Sequence, residues 1–244
     1  MVLPGSITNR LTEVVRQYKQ RDRLRSHGLT PKRRLLLIGA PGCGKTMTAS
    51  AIAGECKLPL MFVQLHSLIT RYMGETAAKL HLVFEAMGRA PGVYLFDEFD
   101  AIGATRAARN DVGEIRRVLN SFLQLLERDD SDSIVVAATN FVGMLDEALF
   151  RRFDDVIEYG LATGPMIRTL IENRLGSFNI SGLKWNAIAR AARGLSHADI
   201  ARACDEAAKQ AVMSDSREID PALLAAALLT RQAMHKTRTQ GRGR

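Results

Sequence analysis

"GAPGCGKT", residues 39–46, is the stretch on which the reading of this chain turns. It fits G-x-x-x-x-G-K-[ST], a pattern that carries meaning only between a strand and a helix. Both neighbours are present. Residues 34–38, "RLLLI", form a short apolar run, and 45–56 reads as helix. In that setting Gly39, Gly42 and Gly44 let backbone N–H groups turn inward around phosphate oxygens. The helix N-terminus adds its positive dipole end. Lys45 reaches the β- and γ-phosphates, and the Thr46 hydroxyl can ligate Mg²⁺. Pro41, Cys43 and Met47 belong to the same nucleotide-binding stretch. Cys43 reads as a small residue that fits the loop; the alternative is a thiol activated by the surrounding dipoles.

Four more runs of strand character follow: 60–65 "LMFVQL", 92–97 "GVYLFD", 133–138 "SIVVAA" and 154–159 "DDVIEY". Each is short and rich in branched or aromatic residues, as buried strands are. Helical stretches separate them at 76–88, 111–128 and 146–151. Within 111–128, Ile115, Val118, Leu119, Phe122, Leu125 and Leu126 recur at steps of three and four, giving one apolar face. Asp111 with Glu114 echoes a capping box. Alternation of strand and helix predicts an α/β fold with a parallel five-stranded sheet and helices on both faces. After Gly164-Pro165 no strand candidates remain. Residues 166–177, 184–193, 197–213 and 220–234 read as helices, the last opened by Asp220 as cap and Pro221 in the first turn. The expected organisation is an N-terminal helical or linker segment at 1–33, the α/β domain at 34–163, a small all-helical lid at 164–234, and a basic disordered tail at 235–244.

Two further pieces bear on the phosphate loop. "VYLFDEFD", residues 93–100, puts Asp97 at the carboxyl end of a strand, facing the phosphate loop of a neighbouring strand. Asp97 would hold Mg²⁺ through water, and Glu98 would polarise the attacking water as general base. Asp100 reads as a helix cap. "VVAATN" ends in Asn140, whose amide could orient the water that attacks the γ-phosphate.

Composition bounds the rest. With 46% hydrophobic and 25% charged residues, the 244-residue chain is of ordinary globular make-up. Three scattered cysteines give no metal or disulfide spacing and point to a reduced, cytoplasmic setting. No run is long enough to span a membrane, and no secretory leader is seen. The net charge of +8 is uneven. Residues 1–34 hold nine Lys/Arg against two acids, and residues 231–244 hold five Lys/Arg and no acid. Solubility explains such ends; a patch for nucleic acid or an acidic partner is the sharper reading. No aromatic residues interleave the charges of the tail, so base stacking there has no support.

Together, "GAPGCGKT", "YLFDEFDAIG", "VVAATN", "LDEALFRRFDDVIE" and "GLSHADIARACDEAA" resemble, in order, the motifs of the AAA+ ATPases, near their protein-remodelling branch. The resemblance runs from Arg33 to Lys209. It implies a Mg²⁺-dependent ATPase that forms hexameric rings and draws protein substrates through a central pore, with an adaptor or partner protein possible and no membrane. It also implies roles. Lys45 with Thr46, and Asp97 with Glu98, look like the two Walker pairs, and Asn140 like the γ-phosphate sensor. Arg151 and Arg152 look like arginine fingers, adjacent here where the branch usually has a spacer. In "GLSHAD", Ala198 falls in the nucleotide-contacting turn of the lid, and His197 stands where a small residue is usual. "RYMGE" falls where the branch has a pore loop, so Tyr72, Met73 and Gly74 would grip an extended polypeptide, in a loop that ends at Gly74. Two rival classes stay open: an AAA+ protein acting on nucleic acid, such as a loader, and a small-molecule kinase.

Overall fold

The computed structural model describes residues 1–65, 73–99, 112–140 and 147–240, with the backbone alone at 73–74, 112–117, 147–148 and 235–240. Tyr72, Asp100 and Asp111 lie outside the described residues, as does the side chain of Glu114. The chain divides into two compact units, and the division falls within the phosphate loop. One holds residues 5–39 and 45–159. The other holds residues 1–4, 40–44 and everything from Gly160 onward.

The first unit is built on five parallel strands: β1 (Arg34–Gly39), β2 (Leu60–Gln64), β3 (Val93–Asp97), β4 (Ile134–Thr139) and β5 (Asp155–Tyr159). Their order is β2-β3-β4-β1-β5. Burial follows from that order. β4 is buried at every residue and β3 at all but Asp97, because helices cover both faces of a central parallel strand. At the edge, β2 leaves Met61 and Phe62 exposed. β1 lies between β4 and β5, so the sheet reverses direction of build-up beside it. Ligands of open α/β sheets bind at such a switch point, outside the carboxyl ends of the strands.

Helices α1 (Gly5–Lys19) and α2 (Arg21–Ser26) precede the sheet; α3 (Lys45–Cys56), α4 (Met73–Arg89), α5 (Val112–Arg128) and the short α6 (Glu147–Phe150) connect it. The apolar stripe of α5 does what its spacing predicts. Val118, Phe122 and Leu126 are buried, with Leu119 and Leu125 packed beside them. Phe122 is the hub of an aromatic cluster, meeting Phe84, Phe96 and Phe99 edge-on at ring-centre distances of 5.6, 5.0 and 5.0 Å. Such edge-on geometry adds to area burial because ring edges and faces carry opposite partial charge. α4 begins at Met73, so Met73 and Gly74 form its first turn rather than the end of a loop. Glu75 sits in that turn, where the helix dipole favours an acid.

The basic N-terminus is spent inside the unit. Arg10 and Lys32 pair with the buried Asp155, Arg33 with Asp129, and Arg21 and Arg25 with Asp132. Lys19 reaches Glu55, and Arg16 pairs with Glu13. On the inner side of α1, Ile7, Leu11, Val14 and Tyr18 are buried. Much of the N-terminal charge is therefore paired with acids of the same unit, from α1 and α2 to the sheet and its loops.

The second unit contains α7 (Gly164–Arg174), α8 (Trp185–Ala191), α9 (His197–Met213) and α10 (Pro221–Gln240) around Ile171, Leu175, Ile188, Ile200, Leu224 and Leu228. α7 starts two residues before the predicted position. Pro165 fits its first turn, where no backbone N–H is needed, and Leu175 closes it. Asp220 caps α10 as expected, accepting from the Ala222 N–H at 2.7 Å. α10 continues to Gln240, so the backbone at 235–240 is helical where a disordered tail was expected. No helix among the described residues is long and apolar enough to cross a membrane.

Candidate active site

In the α/β unit the site residues meet at the carboxyl edge of the sheet. The register aligns Ile38 with Thr139 and Phe96 with Ala137, so β1, β3 and β4 end at one level. Lys45 opens α3 and is 7% exposed. Its Nζ donates to the Gly39 carbonyl at 2.6 Å and to Asn140 Oδ1 at 2.8 Å. The ammonium holds the amide oxygen of Asn140, which fixes the orientation of that side chain at the sheet edge. Across β4, Thr46 Oγ1 donates to Asp97 Oδ2 at 3.3 Å. This corrects one expectation: β3 is not beside β1. β4 lies between them, and Asp97 reaches Thr46 past its end. Two hard oxygen donors so placed fit a Mg²⁺ ion.

Gly39 has no alternative. A Cβ there would stand 2.5 Å from the Tyr159 carbonyl oxygen, so β5 could not run alongside. Tyr159 also turns its hydroxyl to Thr48 on α3, at 2.7 Å in a buried setting. Burial pushes the Tyr159 phenol above its ordinary pKa, which keeps it a neutral hydrogen-bonding partner.

Glu98 is exposed and adopts φ +53°, a left-handed backbone that a non-glycine residue rarely takes. Two contacts hold it there. Asp97 Oδ1 accepts the Glu98 N–H at 2.8 Å, and the next residue, Phe99, donates its N–H to the Ala138 carbonyl at 2.9 Å while its ring is wholly buried. Such strain costs about 1–3 kcal/mol and persists only where the surroundings over-determine it. Phe99 is thus the anchor of the candidate base, a role that sequence reading missed. Phe99→Ala is expected to lower stability by about 3–5 kcal/mol and, in protein that remains folded, to cut turnover more than ATP affinity. Urea unfolding combined with steady-state kinetics measures both; unchanged values would detach Glu98 from the core beneath it.

Arg151 and Arg152 are exposed in the turn after α6. Arg152 forms an ion pair with Glu127 on α5. Met47 is 60% exposed on α3.

The helical unit gathers the glycine-rich turn of the loop. Ser196 caps α9: its Oγ accepts the Asp199 N–H at 3.2 Å and donates to the buried Asp199 carboxylate. S-x-x-D ahead of an apolar run is a capping-box signal that the sequence carried. The turn meets the loop directly. The Ala198 N–H donates to the Gly42 carbonyl at 3.0 Å, and His197 Nδ1 lies 3.1 Å from the Cys43 carbonyl oxygen. Gly42, at φ +79°, has room for no side chain, because its Cβ would come 2.7 Å from Ser196 Oγ. Pro41 is exposed, and the Cys43 side chain is buried, as suits a small residue that fits. The Cys204 thiol is pushed up to about 12 by burial, so it stays protonated and unreactive.

A sheet of this order, with a lysine-bearing glycine loop after β1, an acid pair after β3 and an amide after β4, defines a phosphate-loop nucleotide-binding protein. The family model for "ATPase family associated with various cellular activities (AAA)" matches residues 35–161, and the chain belongs to that family. An "uncharacterized AAA family ATPase", y4kL of Sinorhizobium fredii, is 34% identical over 219 residues, 90% of this chain and 66% of the relative. The "ATP-dependent zinc metalloprotease FtsH 1" of Methylacidiphilum infernorum is 36% identical over 221 residues, 86% of this chain and 34% of the relative. The "proteasome-activating nucleotidase" of Thermococcus onnurineus is 36% identical over 199 residues, 78% of this chain and 50% of the relative. The chain therefore spans from about a third to just under two thirds of the length of these relatives.

Proposed function

We propose that this chain hydrolyses ATP to ADP and phosphate as the motor unit of a hexameric ring that unfolds or remodels protein substrates. The observation that carries the hydrolysis is the convergence of Lys45, Asn140, Thr46 and Asp97 at one sheet edge, with Glu98 held beside them. Lys45 and the loop N–H groups bind the β- and γ-phosphates. Thr46 and Asp97 would hold Mg²⁺, which would neutralise charge on the phosphate oxygens. Asn140 orients the attacking water, and Glu98 takes its proton. Ala198 holds the glycine-rich turn of the loop through its N–H to the Gly42 carbonyl. Arg151 and Arg152 are the candidates for the finger that completes the site of a neighbouring copy, and Arg152 also pairs with Glu127 on its own chain.

Protein as the substrate rests on two supports. Two relatives carry names tied to protein breakdown, a proteasome-activating nucleotidase and a metalloprotease. The "RYMGE" stretch, with Tyr72 and with Met73 and Gly74 in the first turn of α4, resembles the pore loop of the remodelling branch. Pairing of most N-terminal basic side chains with acids of the same unit weakens the nucleic-acid reading at that end. We place the protein in the cytoplasm, served by an adaptor or partner that selects the substrate.

The test is ATP hydrolysis by the purified chain with and without an unfoldable protein substrate, and separately with DNA. Stimulation by DNA alone would reverse the assignment. Tyr72→Ala is expected to abolish substrate unfolding while ATPase and melting temperature stay near wild type. Tyr72→Phe should retain most unfolding, because bulk and apolar area matter more than the hydroxyl. Parallel loss of melting temperature and ATPase in Tyr72→Ala would make the ring a core residue and remove the gripping role.

A further inference from the structure

Histidine at position 197 has an arrangement that the spacing of the motif does not explain. The residue opens α9, and its half-buried ring reaches back 154 positions to the phosphate loop. A carbonyl oxygen can only accept, so the contact with Cys43 requires the proton on Nδ1. Burial pushes the imidazole below its ordinary pKa, although the carbonyl bond pulls the other way; the neutral Nδ1–H ring is the form that results. Nε2 is buried, with no hydrogen-bond partner among the described residues. The cost of leaving that nitrogen unsatisfied argues that the ring is held in place by what Nδ1 does.

What Nδ1 does follows from the planar trans peptide. In such a unit the C=O of one residue and the N–H of the next point in opposite directions. Drawing the Cys43 carbonyl toward His197 therefore turns the Gly44 N–H to the opposite side. The neighbouring peptide is held at both ends: the Gly42 carbonyl accepts the Ala198 N–H at 3.0 Å, and the Cys43 N–H donates to the Ala40 carbonyl at 3.4 Å. Gly42 and Gly44, at φ +79° and +102°, supply the backbone freedom for this alternation. We infer that His197 is a positioning residue of the nucleotide site, whose Nδ1–H bond to Cys43 sets the Cys43–Gly44 peptide so that the Gly44 N–H is presented to a bound phosphate. The inference rests on the loop being the phosphate site proposed above. His197 touches no reacting atom; it acts through the carbonyl of Cys43 on the aim of the next N–H.

Three variants separate this role from mere filling of space. Asn places an amide N–H near the position of Nδ1. Phe keeps the bulk of the ring and has no donor. Ala has neither. The readouts are the Kd for a fluorescent ADP analogue, and KM and kcat for ATP, on the full chain, with Lys45→Ala as control. Since one hydrogen bond is lost, His197→Phe and His197→Ala should weaken nucleotide binding by about 3- to 10-fold, with KM rising and kcat at saturation within about twofold of wild type. His197→Asn should bind within about twofold of wild type. The inference is overturned if His197→Phe binds as wild type does, or if His197→Asn is as weak as His197→Ala. A wild-type chain that binds no nucleotide, or a Lys45→Ala variant that binds normally, would instead remove the phosphate-site reading beneath it.

Discussion

Replacing Glu98 by Gln should slow ATP turnover by about 10²- to 10⁴-fold, the range that a general base supplies. Binding of ATP should survive. Glu98 is exposed at the end of β3 and makes its backbone contacts through N–H to Asp97, which Gln keeps unchanged. The phosphate-binding groups, Lys45 and the loop, are not touched by the substitution. Lys45→Ala is the contrasting case. It removes the ammonium held between Gly39 and Asn140, and should lose nucleotide binding along with turnover. Phosphate release and equilibrium binding of an ATP analogue, measured on both variants, distinguish the two defects. Turnover near wild type in Glu98→Gln would take the role of base from Glu98.

Replacing Arg151 and Arg152 together by Ala should lower turnover by about 10³- to 10⁵-fold, the worth of a guanidinium that stabilises transition-state charge in phosphoryl transfer. The loss should appear at full nucleotide occupancy, because the residue is proposed to act on ATP held by a neighbouring copy. Activity of the unaltered chain should therefore rise steeply with protein concentration. Mixtures of Glu98→Gln and Arg151→Ala/Arg152→Ala subunits should recover little activity, since each junction needs both halves intact. The single variants Arg151→Ala and Arg152→Ala assign the role, since the finger alone should reproduce the loss of the double variant. Full activity in a strictly monomeric sample would overturn the shared site.

Much of the fold was legible because it is written in short-range pattern. Five apolar runs bounded by turns gave five strands, and a three-and-four spacing gave the buried face of α5. α3 and α9 match their predicted bounds at 45–56 and 197–213. Boundaries moved where local chemistry had been underweighted. Pro165 fits within the first turn of α7 rather than marking a break before it, and α10 runs through the basic residues to Gln240. Asp97 was placed on a strand neighbouring the loop, yet strand adjacency is not a property of strand order along the chain.

What the sequence determined by itself is the local geometry and chemistry. It supplies a glycine loop that only a phosphate-binding turn explains, an acid pair and an amide each ending a buried strand, and helices with one apolar face. These depend on residues within a few positions of one another, where steric limits and periodicity act directly. The tertiary structure decided which of those ends meet. β4 came between β1 and β3, which put Asn140 against Lys45 and let Asp97 reach Thr46. Packing of Phe99 in the aromatic cluster held Glu98 in a left-handed conformation, and α9 brought His197 to the carbonyl of Cys43. The basic N-terminus found its acids at positions 129, 132 and 155, more than ninety residues away. Composition counts charges and periodicity finds faces, but neither specifies a partner across such separations. Sheet register and helix packing do, because only a closed core brings those groups within bonding distance.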